Sequence, residues 1–239
     1  MNKAVANLKK SGFAFYEIEG LDELFKEYQK RNHFEKDHKD VSNIEMHVKQ
    51  ELLEKMLAKP QQRDSWFLSS KFQGPYEGLV EKFFKLIRPL NDALMKEFKS
   101  KYTNCMESIG VHFYDKTLKG EGLTEHIDVN LFSYIYSNGP VDAKIGGKWN
   151  TVDIPKNHIM IFTGLTLMLE SGATALKHRV PHCVKNKFTI GVFMGAPNEA
   201  VLKVKNPTES TKKLKTVADL NEVFFGGKFN LDEIEDSLS

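Results

Sequence analysis

The feature that most limits how this chain can fold is a series of short β-rich runs beginning after Asn104. Turn-forming residues separate the runs, including Ser137–Pro140, Gly146-Gly147 and Lys185-Asn186. The predicted strands are Ser108–Tyr114, Leu123–Asp128, Leu131–Tyr136, Trp149–Val152, His158–Thr163, Ala175–Val180 and Phe188–Met194. Seven short strands without long helices between them favour a β-sandwich or a double-sheet jelly roll.

Helical patterns dominate the residues before this series. The predicted helices are Asn2–Lys10, Leu21–Arg31, Ile44–Ala58 and Tyr76–Tyr102, and Gly12–Ile18 alternates like a strand between the first two. Pro89 predicts a kink in the fourth helix or its division into two. A further helical pattern, Val217–Phe225, follows Pro207. We interpret the chain as a mainly β domain in which residues 1–103 form a helical buttress, 104–200 the jelly-roll core and 201–239 a helical tail.

Composition excludes several classes of protein. The 239 residues carry 34 Lys and Arg against 32 Asp and Glu, and a net charge of +2 is too small to indicate nucleic acid or an anionic membrane as a partner. The two cysteines, Cys105 and Cys183, form no CxxC pair, which argues against a disulfide framework and a cysteine zinc site. No apolar window reaches the length of a membrane span or of a signal core, so we expect a cytoplasmic protein.

A possible metal site begins with His126 and Asp128. These residues are two apart, so in an extended strand both side chains point to one face. Such a pair often arises by chance, but a third ligand from a later strand would complete the two-histidine, one-carboxylate triad of non-haem iron oxygenases. His178 and His182 are both candidates for this third position. They are four apart, and spacing alone does not choose between them.

From Glu107 to Pro197 the chain resembles the 2-oxoglutarate- and iron(II)-dependent dioxygenases, in particular the isopenicillin N synthase-like branch. Five motifs carry the resemblance in the order of that family: Gly110–Tyr114 (GVHFY), Gly122–Asp128 (GLTEHID), Gly147–Val152 (GKWNTV), Lys177–Val180 (KHRV) and Lys187–Phe193 (KFTIGVF). The resemblance implies a double-stranded β-helix core in residues 104–200. It also implies that this core is catalytic.

The resemblance further implies roles for individual residues. His126, Asp128 and His178 would be the iron ligands, which favours His178 over His182. Tyr114, Lys187 and Thr189 would bind the distal carboxylate of 2-oxoglutarate. Lys187 departs from the branch, which normally has an arginine there. An ammonium is a point charge, whereas a guanidinium holds a carboxylate through two parallel hydrogen bonds.

The activity implied is that of an oxygenase that uses Fe(II), O2 and 2-oxoglutarate. It would oxidise, and most simply hydroxylate, a small molecule with release of succinate and CO2. Because Asp128 supplies a carboxylate where related halogenases leave room for chloride, halogenation is disfavoured. Two alternatives remain: an iron oxidase of the same fold that does not use 2-oxoglutarate, and a catalytically silent jelly-roll binding protein.

The substrate is predicted only as a class. We expect a small molecule, such as an amino acid or peptide-like metabolite, and neither nucleic acid nor membrane as a partner. Candidate residues for the pocket wall are Trp66–Ser70, Thr124, Asn130 and Phe193. Each of them could instead be core, which is the favoured interpretation for the aromatic residues. His112 shares a face with Tyr114, which suggests either a position near the co-substrate or a core histidine. Arg179 should point away from His178, and we expect it to have a structural role.

Overall fold

The fold consists of two antiparallel sheets with helices packed on one of them. A computed structural model of the protein describes residues 1–30, 44–48, 63–69, 77–102 and 104–225. The helices in these ranges are α1 (Asn2–Ser11), α2 (Leu21–Lys30), α3 (Glu77–Glu97), α4 (Leu165–Ser171) and α5 (Val217–Phe225). The strands are β1 (Phe13–Glu17), β2 (Ile44–Val48), β3 (Arg63–Ser69), β4 (Met106–Tyr114), β5 (Leu123–His126), β6 (Phe132–Ser137), β7 (Val141–Ile145), β8 (Lys148–Val152), β9 (His158–Thr163), β10 (His178–Val180) and β11 (Lys187–Gly195).

The two sheets differ in size and in strand order. The larger sheet has the strand order β1-β9-β6-β11-β4-β3-β2, and the smaller sheet has the order β5-β10-β7-β8. Most neighbouring strands are not consecutive in sequence, as in a jelly roll; the exceptions are β2 with β3, β3 with β4, and β7 with β8. Apolar residues from both sheets, including Ile135 and Phe162 of the larger and Val141 and Ala143 of the smaller, meet in one cluster. The space between the sheets is therefore a second core, separate from the one under the helices.

Helix α3 covers the outer face of the larger sheet. Its residues Val80, Phe83, Phe84 and Ile87 recur at helical spacing and are buried in the main core. The helix runs without interruption from Glu77 to Glu97, so the predicted division at Pro89 does not occur. None of the described helices is both long and apolar enough to cross a membrane.

The structure corrects several sequence predictions. The segment predicted as a helix, Ile44–Ala58, begins as strand β2, and its remainder lies outside the described residues. Strand β2 pairs with β3, and β3 pairs with β4. Two segments of the predicted helical buttress therefore extend the larger sheet. Strands β3 and β7 and helix α4 were not predicted. The predicted strand Ala175–Val180 is shorter, since β10 contains only His178–Val180.

Buried Asp22 ties helix α2 to the larger sheet. Its carboxylate accepts hydrogen bonds from the Tyr136 hydroxyl and, at 2.8 Å, from the Asn157 backbone N–H. We expect Asp22→Ala to lower the free energy of unfolding by about 2–4 kcal/mol, because the buried Tyr136 hydroxyl and the partly buried Asn157 N–H lose their acceptor. Urea unfolding measures this. The control is Lys156→Ala, which removes an exposed ammonium 4.0 Å from Asp22 and should cost less than about 1 kcal/mol. Equal effects of the two substitutions would contradict the prediction.

Candidate metal centre and active site

Two neighbouring strands of the smaller sheet bring the predicted ligands together. His126 ends β5, Asp128 follows it, and His178 begins β10, where it is the direct cross-strand partner of His126. The His126 Nε2 atom lies 3.3 Å from Asp128 Oδ1, and His178 Nε2 lies 4.0 Å from Asp128 Oδ2. All three ligand atoms lie within 4.8 Å of one another, and no other such group occurs in the described part of the chain. The cluster has the size of a single-ion site.

Backbone carbonyls orient both imidazoles. His126 Nδ1 is 2.9 Å from the Thr124 carbonyl oxygen, and His178 Nδ1 is 3.2 Å from that of Leu176. Since a carbonyl oxygen can only accept, each Nδ1 carries a proton, and in the neutral form of each ring the lone pair is therefore on Nε2. Both Nε2 atoms face Asp128, as a metal ligand requires.

Asp128 is held by a short chain of hydrogen bonds from β6. The Ser133 hydroxyl donates to Asp128 Oδ2 at 2.5 Å, and the Asn130 side-chain amide donates to Ser133 Oγ at 2.9 Å. Ser133 is fully buried. Asn130, predicted as a possible pocket wall, thus supports the carboxylate through Ser133.

We expect Ser133→Ala to weaken iron(II) binding by about 10–100-fold, the usual effect of removing a hydrogen-bond partner of a metal ligand. Competition with a chromophoric chelator under anaerobic conditions measures this affinity. Ser133→Thr keeps the hydroxyl and serves as the control. An alanine variant that binds iron as tightly as the wild type would show that Ser133 does not position Asp128.

Electrostatics favour the metal-binding protonation states. Burial by itself raises the pKa of Asp128, but His178, His126 and the Ser133 hydrogen bond outweigh it and bring the pKa well below its usual value. Burial, together with nearby His126, lowers the pKa of His178 to about 4 against the opposing effect of Asp128. At neutral pH the carboxylate is therefore charged and His178 is neutral, as ligation demands.

His182 lies outside this cluster. Strand β10 ends at Val180, and the exposed ring of His182 bonds instead through Nδ1 to the Gly120 carbonyl oxygen at 2.9 Å. The ring of His178, by contrast, packs between those of Phe162 and His126, with centroids 4.6 and 4.2 Å away. The structure therefore brings His178, and not His182, to His126 and Asp128.

The three residues predicted to bind 2-oxoglutarate meet on the larger sheet. Tyr114 at the end of β4 pairs with Lys187 at the start of β11, and Thr189 follows two residues later on the same face. The Lys187 ammonium lies 5.4 Å from the centroid of the Tyr114 ring and donates to the Pro140 carbonyl oxygen. Thr189 Oγ1 is 2.8 Å from Ser137 Oγ. A cation, a hydroxyl and a phenol are thereby grouped at one end of the intersheet space.

Lys187 is an unusual lysine because it is only 4% exposed. Burial lowers its pKa to about 8, although Cys183 and Asp142 act in the opposite direction. Cys183, like Cys105, is a free thiol. An opposite charge placed beside such a buried ammonium would favour its protonated form.

One cavity is shared by the metal cluster and by Tyr114 and Thr189, whereas Lys187 is not among its lining residues. Its polar lining residues are the three predicted ligands together with His112, Tyr114 and Thr189. Much of the remaining wall is apolar and includes Ile135, Phe162 and Phe193. Of the other predicted wall residues, Phe193 thus lines the cavity, while the side chains of Trp66–Ser69 and all of Ser70 lie outside the described residues.

Arg179 does not line the cavity. Its Nε donates to the Asp142 carboxylate at 3.1 Å, which agrees with a structural role.

Solved structures of similar fold exist, although no protein-family model and no curated protein matches the chain. The rice dioxygenase for auxin oxidation (DAO) has a TM-score of 0.71 at 11% identity, covering 95% of this chain and 89% of its own. A full-length Neurospora crassa protein in complex with alpha-KG and thymine has a TM-score of 0.70 at 12% identity, with 95% and 90% covered. JOX2 in complex with 2OG, Fe and JA also reaches 0.70, at 14% identity, with 100% and 85% covered. The chain has the fold of the 2-oxoglutarate/Fe(II) oxygenases.

Sequence reasoning missed part of this oxygenase-fold site. Ser133 and Ser137 lie in β6, a strand whose residues are all buried and otherwise apolar or aromatic. Buried hydroxyls need hydrogen-bond partners, so two serines in such a strand are a usable signal for a polar site. Gly139 and Pro140 also lie against the Lys187 side chain. Nothing in the sequence signals this contact, because these residues are typical of an ordinary turn.

Proposed function

We propose that the protein is an Fe(II)- and 2-oxoglutarate-dependent oxygenase that hydroxylates a small molecule and releases succinate and CO2. The observation that carries this proposal is one cavity lined by the three-residue cluster and by Tyr114 and Thr189, with the Lys187 ammonium 5.4 Å from the centroid of the Tyr114 ring. The fold supports it, since structures that share this fold contain alpha-KG, or 2OG with Fe.

The donor set of the cluster fits iron(II). Two imidazole nitrogens and one carboxylate oxygen, from His126, His178 and Asp128, are the facial triad used by non-haem iron oxygenases. These residues would hold the ion on one side and leave other positions for 2-oxoglutarate and O2. Iron bound there would supply O2 activation coupled to decarboxylation of 2-oxoglutarate and oxidation of a substrate C–H bond.

The remaining residues of the site bind and orient. The Lys187 ammonium would neutralise the distal carboxylate of 2-oxoglutarate, and the hydroxyls of Thr189 and Tyr114 would donate hydrogen bonds to it. The apolar wall that includes Ile135 and Phe162 excludes water, which strengthens these interactions. The protein thus sets the position of the co-substrate relative to the metal.

A small-molecule substrate is consistent with the structural neighbours. The Neurospora crassa protein was solved with thymine, and JOX2 with JA. Our narrower proposal for this protein is an amino acid or a peptide-like metabolite. Its test is a screen of amino acids and short peptides for substrate-dependent succinate formation.

The experiment that tests the proposed function is an anaerobic titration of the apo protein with iron(II), then with 2-oxoglutarate. A visible metal-to-ligand charge-transfer band is expected once both are bound. Iron binding without the band would favour an oxidase that does not use 2-oxoglutarate. No iron binding would favour a silent jelly-roll binding protein.

A further inference from the structure

The turn between β6 and β7, Ser137–Pro140, is attached to the start of β11. Asn138 exchanges hydrogen bonds with Phe188: its Oδ1 accepts from the Phe188 N–H at 2.8 Å, and its own N–H donates to the Phe188 carbonyl at 3.2 Å. Ser137 Oγ lies 2.8 Å from Thr189 Oγ1 and accepts from the Gly139 N–H at 3.3 Å. The turn therefore fixes the backbone on which Lys187 and Thr189 are mounted.

Gly139 makes room for the Lys187 side chain. A Cβ atom at Gly139 would lie 3.2 Å from Cδ, 3.4 Å from Cγ and 3.6 Å from Cε of Lys187. Gly139 does not have a positive φ, so its backbone conformation does not require glycine. The missing side chain matters because the aliphatic part of Lys187 occupies that space.

The head of Lys187 is enclosed as closely as its stem. Its ammonium donates to the Pro140 carbonyl, lies over the Tyr114 ring and is almost fully buried. A guanidinium is longer, planar and carries five N–H donors, each needing an acceptor when buried. One backbone carbonyl and one aromatic face suit an ammonium better than such a group.

We propose that the Ser137–Pro140 turn is a positioning element that fits the carboxylate-binding end of the site to lysine, so that arginine at position 187 cannot replace it. The inference rests on the proposed function, because the ligand concerned is the distal carboxylate of 2-oxoglutarate. Gly139 sets the path of the stem, and Pro140 orients the ammonium before the carboxylate arrives. The hydrogen bonds of the turn described above involve none of the three residues of the metal cluster.

The test measures the dissociation constant of 2-oxoglutarate for the iron(II)-loaded protein, from the charge-transfer band under anaerobic conditions. Lys187→Arg should raise this constant at least about tenfold despite keeping the charge. Gly139→Ala should raise it several-fold and Gly139→Val more, since each added methyl group displaces the stem further. Iron(II) affinity should stay at the wild-type value in all three variants. Gly195→Ala is the control. Gly195 lies on β11, the strand that carries Lys187, and a Cβ atom there would meet nothing closer than 3.8 Å.

A second readout separates positioning of Lys187 from general destabilisation. The pH at which 2-oxoglutarate binding is half lost should shift in Gly139→Ala, because the displaced ammonium changes its distance from Cys183, Asp142, Tyr114 and His178. A purely structural effect would lower the melting temperature and leave this midpoint unchanged, which would overturn the inference.

Two further outcomes have different meanings. Normal 2-oxoglutarate binding by Lys187→Arg or Gly139→Val would overturn the inference and leave the proposed function intact. A wild-type protein that binds iron but gives no band would overturn the proposed function, and the inference with it.

Discussion

Replacing His178 with alanine is expected to lower iron(II) affinity by more than about a hundredfold. Loss of a residue that only supports a metal ligand costs about 10–100-fold, and His178 is itself a predicted ligand. The His178 Nε2 atom is one of three candidate ligand atoms in the cluster, and no other described histidine belongs to it. The fold should survive, because the change removes one ring from contact with Phe162 and leaves both sheets paired. Chelator competition measures the affinity, and circular dichroism with a thermal melt checks the fold.

His182→Ala is the matched control for this prediction. It removes the same side chain four residues along, from an exposed position where it bonds only to the Gly120 carbonyl in the described structure. Its iron affinity should equal that of the wild type. If His182→Ala lost iron and His178→Ala kept it, the distal ligand would have to be reassigned.

Replacing Lys187 with alanine is expected to lower 2-oxoglutarate affinity by about a hundredfold or more while iron(II) binding is retained. A bound carboxylate would lose its ammonium partner in a buried site, and breaking such a pair costs about 3–5 kcal/mol. Titration of the charge-transfer band gives the affinity. Lys185→Ala, an exposed lysine two residues away, should behave as wild type. Retained 2-oxoglutarate binding in Lys187→Ala would remove Lys187 from the site.

The pH dependence of the same titration tests the charge on Lys187. Burial lowers its pKa to about 8, so the binding form, the ammonium, predominates below this pH and is lost above it. Between pH 7 and pH 9 the affinity of the wild type should therefore fall about tenfold, since one proton is linked to binding. Lys187→Ala should show no such fall. Iron occupancy measured in the same samples separates this effect from loss of metal.

Much of the fold follows from local patterns in the sequence. The β-rich runs after Asn104 and the apolar spacing of α3 each show their periodicity within one segment. Strand β2 does not, because the segment from Ile44 is rich in charged residues and good helix formers. It becomes a strand through pairing with β3. A partner that is distant in sequence leaves no signal in the segment itself.

The candidate site likewise contains features that local sequence patterns predict and features that depend on distant contacts. His126 and Asp128 are related by strand periodicity, and their proximity could be predicted. Spacing alone left His178 and His182 open, and only the family resemblance favoured His178; the register of β10 against β5 places His178 opposite His126. The hydrogen bond from Ser133 to Asp128 depends on how the chain bends after β5. Neither spacing nor composition records that bend.

The arrangement of the candidate site on two sheets separates two kinds of change. Both histidines of the cluster lie on the smaller sheet, whereas Tyr114, Lys187 and Thr189 lie on the larger one. Substitutions in the second group, or in the turn beside it, can therefore occur without disturbing the pairing of the two strands that carry the histidines.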